Sequence, residues 1–396
     1  MDMQRGRIGL MAAALVGLVV GGAQAQVTTE KSASILVFPK VVSDGTRDTV
    51  IQITNTSNSM VHAHCFYVNG ALTFPELPAG PINPPLWIEI DFDIWLTKQQ
   101  PTHWVVSQGR LVNAADAPCS NNPANYSCND AGIDPGRVPP VVEYFTGELK
   151  CIEVDPSGAP LSGNHLKGEA TTTTFNVCNP ITEECVLEPG TSCTPGGTDC
   201  DSSIQDVAKY NALGVIGNEN NDGDPVLCLG GEPTEDCPNG AEYDACPQFW
   251  IANHFAQGAP EPAIDDDAEV NTTWTIVPCT QNFETQNPER VTIFIETWNE
   301  FEQAFSSFAT VTCWDELALD EINEVTFDYQ TLGTTFAQSR LRPSSQTRSG
   351  FMMVGSEAHV YPGNNITQTA DVNYHIEGER SGPDLITIPF DQVGPQ

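Results

Sequence analysis

Oxygen-bearing side chains recur at every second position in the segment NENNDGD, which occupies Asn218–Asp224. Such spacing lets carboxylate and amide oxygens converge on one hard cation, and Gly223 stands where a sharp turn is needed. The twelfth position of this loop is Leu229 instead of the bidentate glutamate of an EF-hand, so a polar turn between β segments is the alternative. The predicted Ca²⁺ ligands are Asn218, Asn220, Asp222 and Asp224.

A second group is the histidine pair in HAHCFYV, where His62 and His64 are two positions apart. On a strand this spacing puts both imidazoles on one face, where they could bind Zn²⁺ or Cu²⁺ if a third ligand approached. The alternative is a solvent-facing pair on the wet face of a strand.

A third group lies in WIEIDFDIWLT, where Glu89, Asp91 and Asp93 form a row of carboxylates between Trp87 and Trp95. Carboxylates flanked by tryptophan are found in glycoside hydrolases, and exposed tryptophans form sugar-binding platforms. Catalytic carboxylates usually need different environments that separate their pKa values, which one row on one strand does not supply. The alternative is the polar face of a half-buried strand.

Charge and motif content narrow the function classes. The formal net charge of −36 repels nucleic acid and anionic lipid, so neither is expected as a partner. The sequence contains no GxSxG, HExxH, GxGxxG or GxxxxGK[ST] motif, so serine hydrolases, zincins and nucleotide-binding loops lack support.

The N-terminal segment predicts export. Residues 1–25 combine two early arginines, an apolar run and a terminal Ala-Gln-Ala, the layout of a secretory signal peptide. No later segment is apolar enough to span a membrane. The 13 cysteines indicate disulfides in an oxidising compartment, so we expect a periplasmic, cell-surface or secreted protein.

Period-two alternation dominates the rest of the chain. It is strongest in Trp87–Thr97, and it recurs in Thr49–Asn55 and Val291–Asn299. Long helical periodicity is nearly absent; SSIQDVAKYNALG is the best helical candidate and is short. The pattern predicts an all-β fold.

Five short segments recur in the same order in the two halves of the chain, which indicates a duplicated β unit. The best pair is HLKGEA at His165–Ala170 and HIEGER at His375–Arg380, which we expect at a structural turn beside a glycine. The other pairs are LVFPK with TIVPC, TVIQITN with VTIFIETWN, HAHCFYV with ATVTCWD, and FTGELKCIEV with MVGSEAHVYP.

The layout resembles the immunoglobulin-like and fibronectin-like β-sandwich domains of exported bacterial surface proteins. The resemblance rests on strand pattern and size and implies two tandem sandwich units. The first unit would comprise residues 26–170 plus 248–256, interrupted by a disulfide-rich irregular insert at 171–247. An acidic linker at 257–269 would lead to the second unit at 270–396.

The repeat also predicts disulfides. Cys65 and Cys313 occupy equivalent positions in the two units, but each must pair with a cysteine that has no equivalent in the other unit. We expect bridges joining Cys65 to Cys151 and Cys279 to Cys313. A further bridge would close the Asn- and Pro-rich loop within Val112–Pro140; its cysteines are Cys119 and Cys128.

Three function hypotheses remain. The first is a non-catalytic exported protein for extracellular structure, adhesion or binding, whose partner is an extracellular ligand or surface component. The second is a carbohydrate-binding or carbohydrate-active protein that uses Trp87 and Trp95. The third is a metal-dependent secreted enzyme that uses His62 and His64.

Overall fold

Strands dominate the structure, a computed structural model that describes residues 27–73, 83, 85–111, 135–260, 268–286, 289–344, 349–361 and 366–389. The strands of the first part are β1 Ile35–Ser43, β2 Arg47–Asn55, β3 Val61–Asn69, β4 Ile88–Leu96, β5 Pro101–Val105, β6 Phe145–Val154, β7 Leu166–Phe175, β8 Glu184–Cys185, β9 Glu188–Ser192, β10 Gln205–Asn211, β11 Leu213–Val215 and β12 Val226–Leu229.

The second part begins with β13 Pro247–Phe255, β14 Ala259–Pro260, β15 Glu269–Pro278, β16 Gln281–Asn282, β17 Arg290–Asn299, β18 Ala304–Thr312 and β19 Asp315–Ala318. After the short helices α1 Leu319–Asn323 and α2 Tyr329–Leu332 come β20 Phe336–Pro343, β21 Phe351–Tyr361, β22 Ile366–Val372, β23 His375–Glu379 and β24 Asp384–Thr387. The chain is all-β, as the alternation predicts.

The first large sheet has nine strands, in the order β10-β7-β2-β1-β6-β3-β4, with β5 added to β2 and β11 added to β1. In β2, Ile51 and Ile53 are buried while Gln52 between them is exposed, which is the period-two pattern of a strand with one wet face. In contrast, Gly147–Val154 of β6 is buried at every position, because both faces of this strand are covered.

Two further sheets make up most of the second part. One has the order β18-β17-β20-β13-β23, and the other has the order β14-β15-β21-β22 with β19 added to β15. Trp250 of β13, Trp274 of β15 and Ile293 of β17 are fully buried in one core. The same core contains Ile152 of β6 and Leu213 of β11, so the two parts of the chain share an interior.

The structure places the middle of the chain differently from the predicted insert. β10 pairs with β7 from Gln205 to Asn211, and β11 pairs with β1, so both complete the first sheet. The segment that we considered as a helix is therefore a strand, because Ala208 and Tyr210 pack on the core at period two.

The assignment of residues 248–256 to the first unit is also wrong. β13 pairs with β20 and β23, which both belong to the second part of the chain. In the first sheet β7 pairs with β2 and β10. Sequence distance misled the prediction, since β13 precedes the predicted acidic linker at 257–269 but lies in the sheet that follows it.

The disulfides agree with the predicted pairing in one place and differ in another. Cys65 and Cys151 are bonded, because they stand directly opposite each other on β3 and β6. Cys279 is bonded to Cys246, so the predicted bridge from Cys279 to Cys313 is wrong. Cys313 is a buried free thiol.

The reason for the different bridge is the position of β13. Cys246 directly precedes this strand, and Cys279 directly follows β15, so the disulfide ties two strands that border one core. The cysteine-rich middle segment contains three local bridges: Cys178–Cys193, Cys185–Cys200 and Cys228–Cys237. The predicted pair Cys119 and Cys128 lies outside the described residues, as does the predicted signal peptide at 1–25.

Over the part of the chain that the structure describes, no helix has both the length and the apolar character needed to cross a bilayer.

Candidate functional site

The predicted histidine pair lies on β3 and is buried, which corrects the expectation of a solvent-facing pair. His62 stacks on Trp95 with ring centroids 3.6 Å apart, and its Nε2 lies 2.7 Å from Asp93 Oδ1. His64 Nε2 lies 3.2 Å from Asp91 Oδ2. The two imidazoles are thus held by carboxylates of the neighbouring strand β4.

This arrangement forms a histidine–carboxylate row, whose members are His62, His64, Glu89, Asp91 and Asp93. The registers of β3 and β4 place these side chains on one face of the sheet. Among the described residues, the clusters with metal-ligand spacing are Cys185 with Cys193 and Cys200, and Cys246 with Cys279 and Asp384. Their cysteines are in disulfides, so neither cluster offers free thiolates.

The carboxyl groups of the row have different environments, contrary to the expectation that one strand cannot separate them. Burial and then the charge of Asp91 raise the pKa of Glu89 to about 8. The hydrogen bond from His64 lowers the pKa of Asp91 despite its partial burial. Glu89 Oε2 is buried and has no hydrogen-bond partner among the described residues. A protonated Glu89 beside an ionised Asp91 is therefore the state expected at neutral pH.

The two tryptophans do not form the predicted exposed platform. Trp87 and Trp95 are each 5% exposed. Trp87 stacks at 6.4 Å on Phe283, which comes from the second part of the chain, and Trp95 is covered by His62. A sugar ring cannot stack on rings that are already covered, so a carbohydrate site on this face is not supported.

The predicted calcium loop is a polar turn whose groups bond to each other. Asp222 Oδ1 accepts from the backbone N–H of Asp224 at 3.2 Å, and Asp222 Oδ2 accepts from Asn239 Nδ2 at 3.0 Å. The Asn220 amide donates to the Ala241 carbonyl at 3.2 Å. The calcium hypothesis stays a prediction.

A buried carboxyl near this loop was missed by the sequence analysis. Glu242 accepts hydrogen bonds from the backbone N–H groups of Asp222 and Cys228, at 3.2 and 3.0 Å. Burial is the main cause that raises its pKa to about 7. Glu242 thereby fixes the turn that contains Asn218, whose N–H donates to the Glu242 carbonyl at 2.6 Å.

The repeated histidines stand at the start of strands and not in the predicted turn. His165 directly precedes β7 and its Nδ1 lies 2.8 Å from Glu153 Oε1, while His375 begins β23 opposite Ile251. The glycine of the second copy has a left-handed backbone, with φ of 71° at Gly378. The two copies thus share a strand position but not a contact.

An exposed aromatic surface lies on the outer side of β18-β17-β20-β13. Phe294 of β17 stands opposite Phe308 of β18 and opposite Arg342 of β20. Phe308 is 60% exposed. We call this surface the aromatic–arginine face; its members are Phe249, Phe294, Phe308, Arg340 and Arg342.

Cation–π contacts organise this face. The Arg342 guanidinium lies 4.6 Å from the ring centroid of Phe294, and the Arg340 guanidinium lies 3.7 Å from that of Phe249. Arg340 also donates to Glu377 Oε2 at 3.0 Å. The face therefore presents apolar rings together with planar groups that donate hydrogen bonds.

Buried ion pairs are the other feature that the sequence analysis missed. Glu148 and Lys150 of β6 contact each other in the interior, and both contact Gln281 of β16. The alternation in FTGELKCIEV places Glu148 and Lys150 on one face, but the pattern cannot tell that this face meets a second sheet instead of water.

A shallow groove of about 330 Å³ lies on the outer side of β5, β2 and β7. Gln52, His103, Lys167 and Glu169 supply its polar lining, and Glu169 forms an exposed ion pair with Lys209.

Comparisons with known proteins add no family. No family model matches the sequence, and no curated protein matches it significantly. A crystal structure of Thermotoga maritima 1070 aligns with 34% of this chain and 98% of its own, at 11% identity and a TM-score of 0.24. A Pleurotus ostreatus lectin aligns with 95% of this chain and 84% of its own, at 10% identity and a TM-score of 0.15. Neither likeness is close enough to carry an argument.

Proposed function

We propose that the protein is an exported, non-catalytic binding protein of the cell exterior and that it contacts its ligand through the aromatic–arginine face. The observation that carries this proposal is the exposure of Phe308 beside Phe294, with Arg342 over the Phe294 ring. Aromatic rings and arginine are the side chains that dominate binding energy at interfaces. A sheet surface that combines them suits an extended ligand.

The other candidate groups support a non-catalytic role, because their chemistry is used inside the fold. His62 and His64 are held by Asp93 and Asp91. Burial also lowers the pKa of His254 to about 4, and His254 Nε2 lies 2.8 Å from Ser339 Oγ. These imidazoles act as internal hydrogen-bonding groups instead of accessible acids or bases.

Export and duplication belong to the same proposal. The disulfides are compatible with an exported protein, and residues 1–25 would direct the export. Two recurring segments lie on strands that pair in the same way, since β1 pairs with β6 and β15 pairs with β21. Another recurring segment lies on strands that pair differently, β3 with β6 and β18 with β17. We propose two diverged β-sandwich units that share one core.

An acidic saccharide polymer is the ligand class that the face favours. Phe308 offers a ring on which a sugar can stack, and Arg342 offers parallel donors for a carboxylate. The formal net charge of −36 would oppose an acidic ligand elsewhere on the surface. Binding would therefore be confined to the part of the surface where arginines are present.

Sedimentation of the purified protein with isolated cell envelopes, and with purified acidic and neutral polysaccharides, tests this proposal. We expect Phe308→Ser and Arg342→Ser each to weaken binding about tenfold. The matched control is Val207→Ser, which removes a valine that is 58% exposed on β10 of the other large sheet. Equal binding by all three variants and the wild type would place the contact elsewhere. Preference for neutral polysaccharide would support the aromatic–arginine face as the contact surface but contradict an acidic ligand.

A further inference from the structure

Three side chains that could react with one another meet in the interior of the protein. Lys150 Nζ donates to Glu148 Oε2 and to Gln281 Oε1, and Gln281 Nε2 donates to Glu148 Oε1. An amine, an amide and a carboxyl group thus form a closed triangle. The side chains are 0 to 1% exposed, and Gln281 is separated from Lys150 by 131 positions.

Two aromatic rings lie beside this buried triangle. Phe66 stands directly opposite Lys150 in the pairing of β3 with β6, and Phe283 stacks on Phe66 at 4.5 Å with an interplanar angle of 4°. Phe283 lies two positions after Gln281, next to the short strand β16. Burial also lowers the pKa of Lys150, which favours the neutral amine that is a nucleophile.

We propose that Lys150 and Gln281 are joined by an intramolecular amide bond that forms spontaneously after folding, with Glu148 as the proton carrier. Glu148 Oε2 accepts one proton from the Lys150 ammonium, which leaves a neutral amine beside the Gln281 carboxamide. Lys150 Nζ attacks Cδ of Gln281 and forms the new C–N bond. The Glu148 carboxyl returns its proton to the departing nitrogen, the old C–N bond breaks, and ammonia leaves.

The atoms and charges of this reaction balance without an added reagent. The reactants are an ammonium, a carboxylate and a primary amide. The products are a secondary amide, ammonia and a protonated Glu148. Glu148 receives this proton when the attacking nitrogen loses its second proton, and it then exchanges the proton with the released ammonia. No oxidant, metal or cofactor takes part. The fold supplies proximity, which removes the entropic part of the barrier that such a reaction meets in water.

Mass spectrometry of the wild-type protein tests the bond directly. After complete reduction and alkylation, we expect the main species to be lighter than its sequence by one ammonia molecule. Trypsin should fail to cleave after Lys150, because its amine is acylated, and one branched peptide should contain both Lys150 and Gln281. Mapping at the peptide level separates this loss from cyclisation of Gln26, which would follow cleavage of residues 1–25.

Variants identify the roles of the three groups. Lys150→Arg and Glu148→Gln should each abolish the branched peptide, whereas the control Lys209→Arg, at an exposed ion pair, should retain it. The proposal is wrong if the reduced wild-type protein has its unmodified mass and is cleaved after Lys150. It is also wrong if the loss is one water molecule, since that product would join Lys150 to Glu148 instead.

Discussion

Lys40 Nζ, on the first strand of the chain, donates a hydrogen bond of 3.0 Å to Asp371 Oδ1 on β22. The same ammonium lies 3.5 Å from Glu316 Oε1, and Glu316 pairs with Arg47 at 2.9 Å. Burial opposes ionisation of Glu316, but Arg47 and Lys40 outweigh it and hold its pKa below the usual range. The network joins β1 and β2 to β19 and β22, so charge as well as apolar packing connects the two parts of the chain.

Removing Lys40 from this network should be costly. Lys40→Met takes away the cation that Asp371 contacts and one of the two cations beside Glu316, so we expect the free energy of unfolding to fall by about 3–5 kcal/mol. Urea unfolding followed by fluorescence measures it. The exposed control Lys98→Met should change stability by less than about 0.5 kcal/mol. Adding Asp371→Asn to Lys40→Met should recover part of the loss, and a double variant no better than the single one would contradict the pairing.

Glu89 should make the protein less stable as pH rises. Its pKa is about 8 in the fold, against 4.5 for the free group. Below pH 4.5 Glu89 is protonated in both the folded and the unfolded protein. Between pH 4.5 and 8 only the unfolded protein loses this proton, so the free energy of unfolding decreases as pH rises.

Glu89→Gln mimics the protonated side chain and should remove this dependence. At pH 8 we expect the variant to be more stable than the wild type by about 4 kcal/mol, with no difference at pH 4. Unfolding curves across this pH range measure the difference. The control is Glu143→Gln, at an exposed position. A difference that does not change with pH would show that Glu89 is ionised in the fold.

Gly355 should not tolerate a methyl group. A Cβ atom there would lie 2.1 Å from the Tyr374 hydroxyl oxygen, which accepts a 3.0 Å hydrogen bond from Trp274 Nε1. We expect Gly355→Ala to cost about 1–3 kcal/mol by overpacking. The control Gly382→Ala meets no atom within 4 Å and should be nearly neutral. Equal melting temperatures of the two variants would show that Tyr374 moves freely.

The cysteine pairing predicts a specific labelling pattern. Non-reducing peptide mapping should find Cys246 joined to Cys279, and Cys313 should react with iodoacetamide only after denaturation, because it is buried and burial raises the pKa of its thiol. Cys246→Ser should lower the free energy of unfolding by about 2–4 kcal/mol. Labelling of Cys313 in the native protein would contradict its burial.

The calcium hypothesis predicts a melting shift that depends on Asp222. Addition of Ca²⁺ in large excess over its dissociation constant should raise the melting temperature, and Asp222→Ala should abolish the rise. Mg²⁺ is the control ion, because its strict octahedral geometry suits a flexible loop poorly. An equal response to both ions, or none, would leave the segment as a turn.

The alternation of polar and apolar residues predicted which side chains share a face of a strand. It did not predict whether that face contacts water or another part of the protein. The strand from Ile88 to Leu96 is present almost as predicted, and Cys65 meets Cys151. Trp87 and Trp95 were expected to face solvent, yet they are covered by side chains of other segments. Period two carries no information about a second sheet, since its partner residues are distant in the chain.

The same limit explains the misplaced strand β13 and the missed triangle of Glu148, Lys150 and Gln281. Local sequence gives a strand the same signal in either sheet, and Pro247–Phe255 was assigned by its neighbours in sequence. A lysine and a glutamate on alternate positions look like a wet face unless a distant segment is known to cover them. Only the tertiary arrangement brings Gln281 to that face.

The first strand obtains its neighbours from widely separated parts of the chain. Ile35 pairs with Ile152 and Val215, and Lys40 reaches Asp371 across 331 positions. Contacts between residues so distant in sequence make folding slow, because the entropy of closing long loops is lost before the stabilising contacts form. A chain emerging N-terminus first therefore cannot complete its interior until almost all of it has been delivered. If the protein is exported as we propose, its chain would stay open for threading through a narrow translocation channel, and it would need protection from aggregation during that delay.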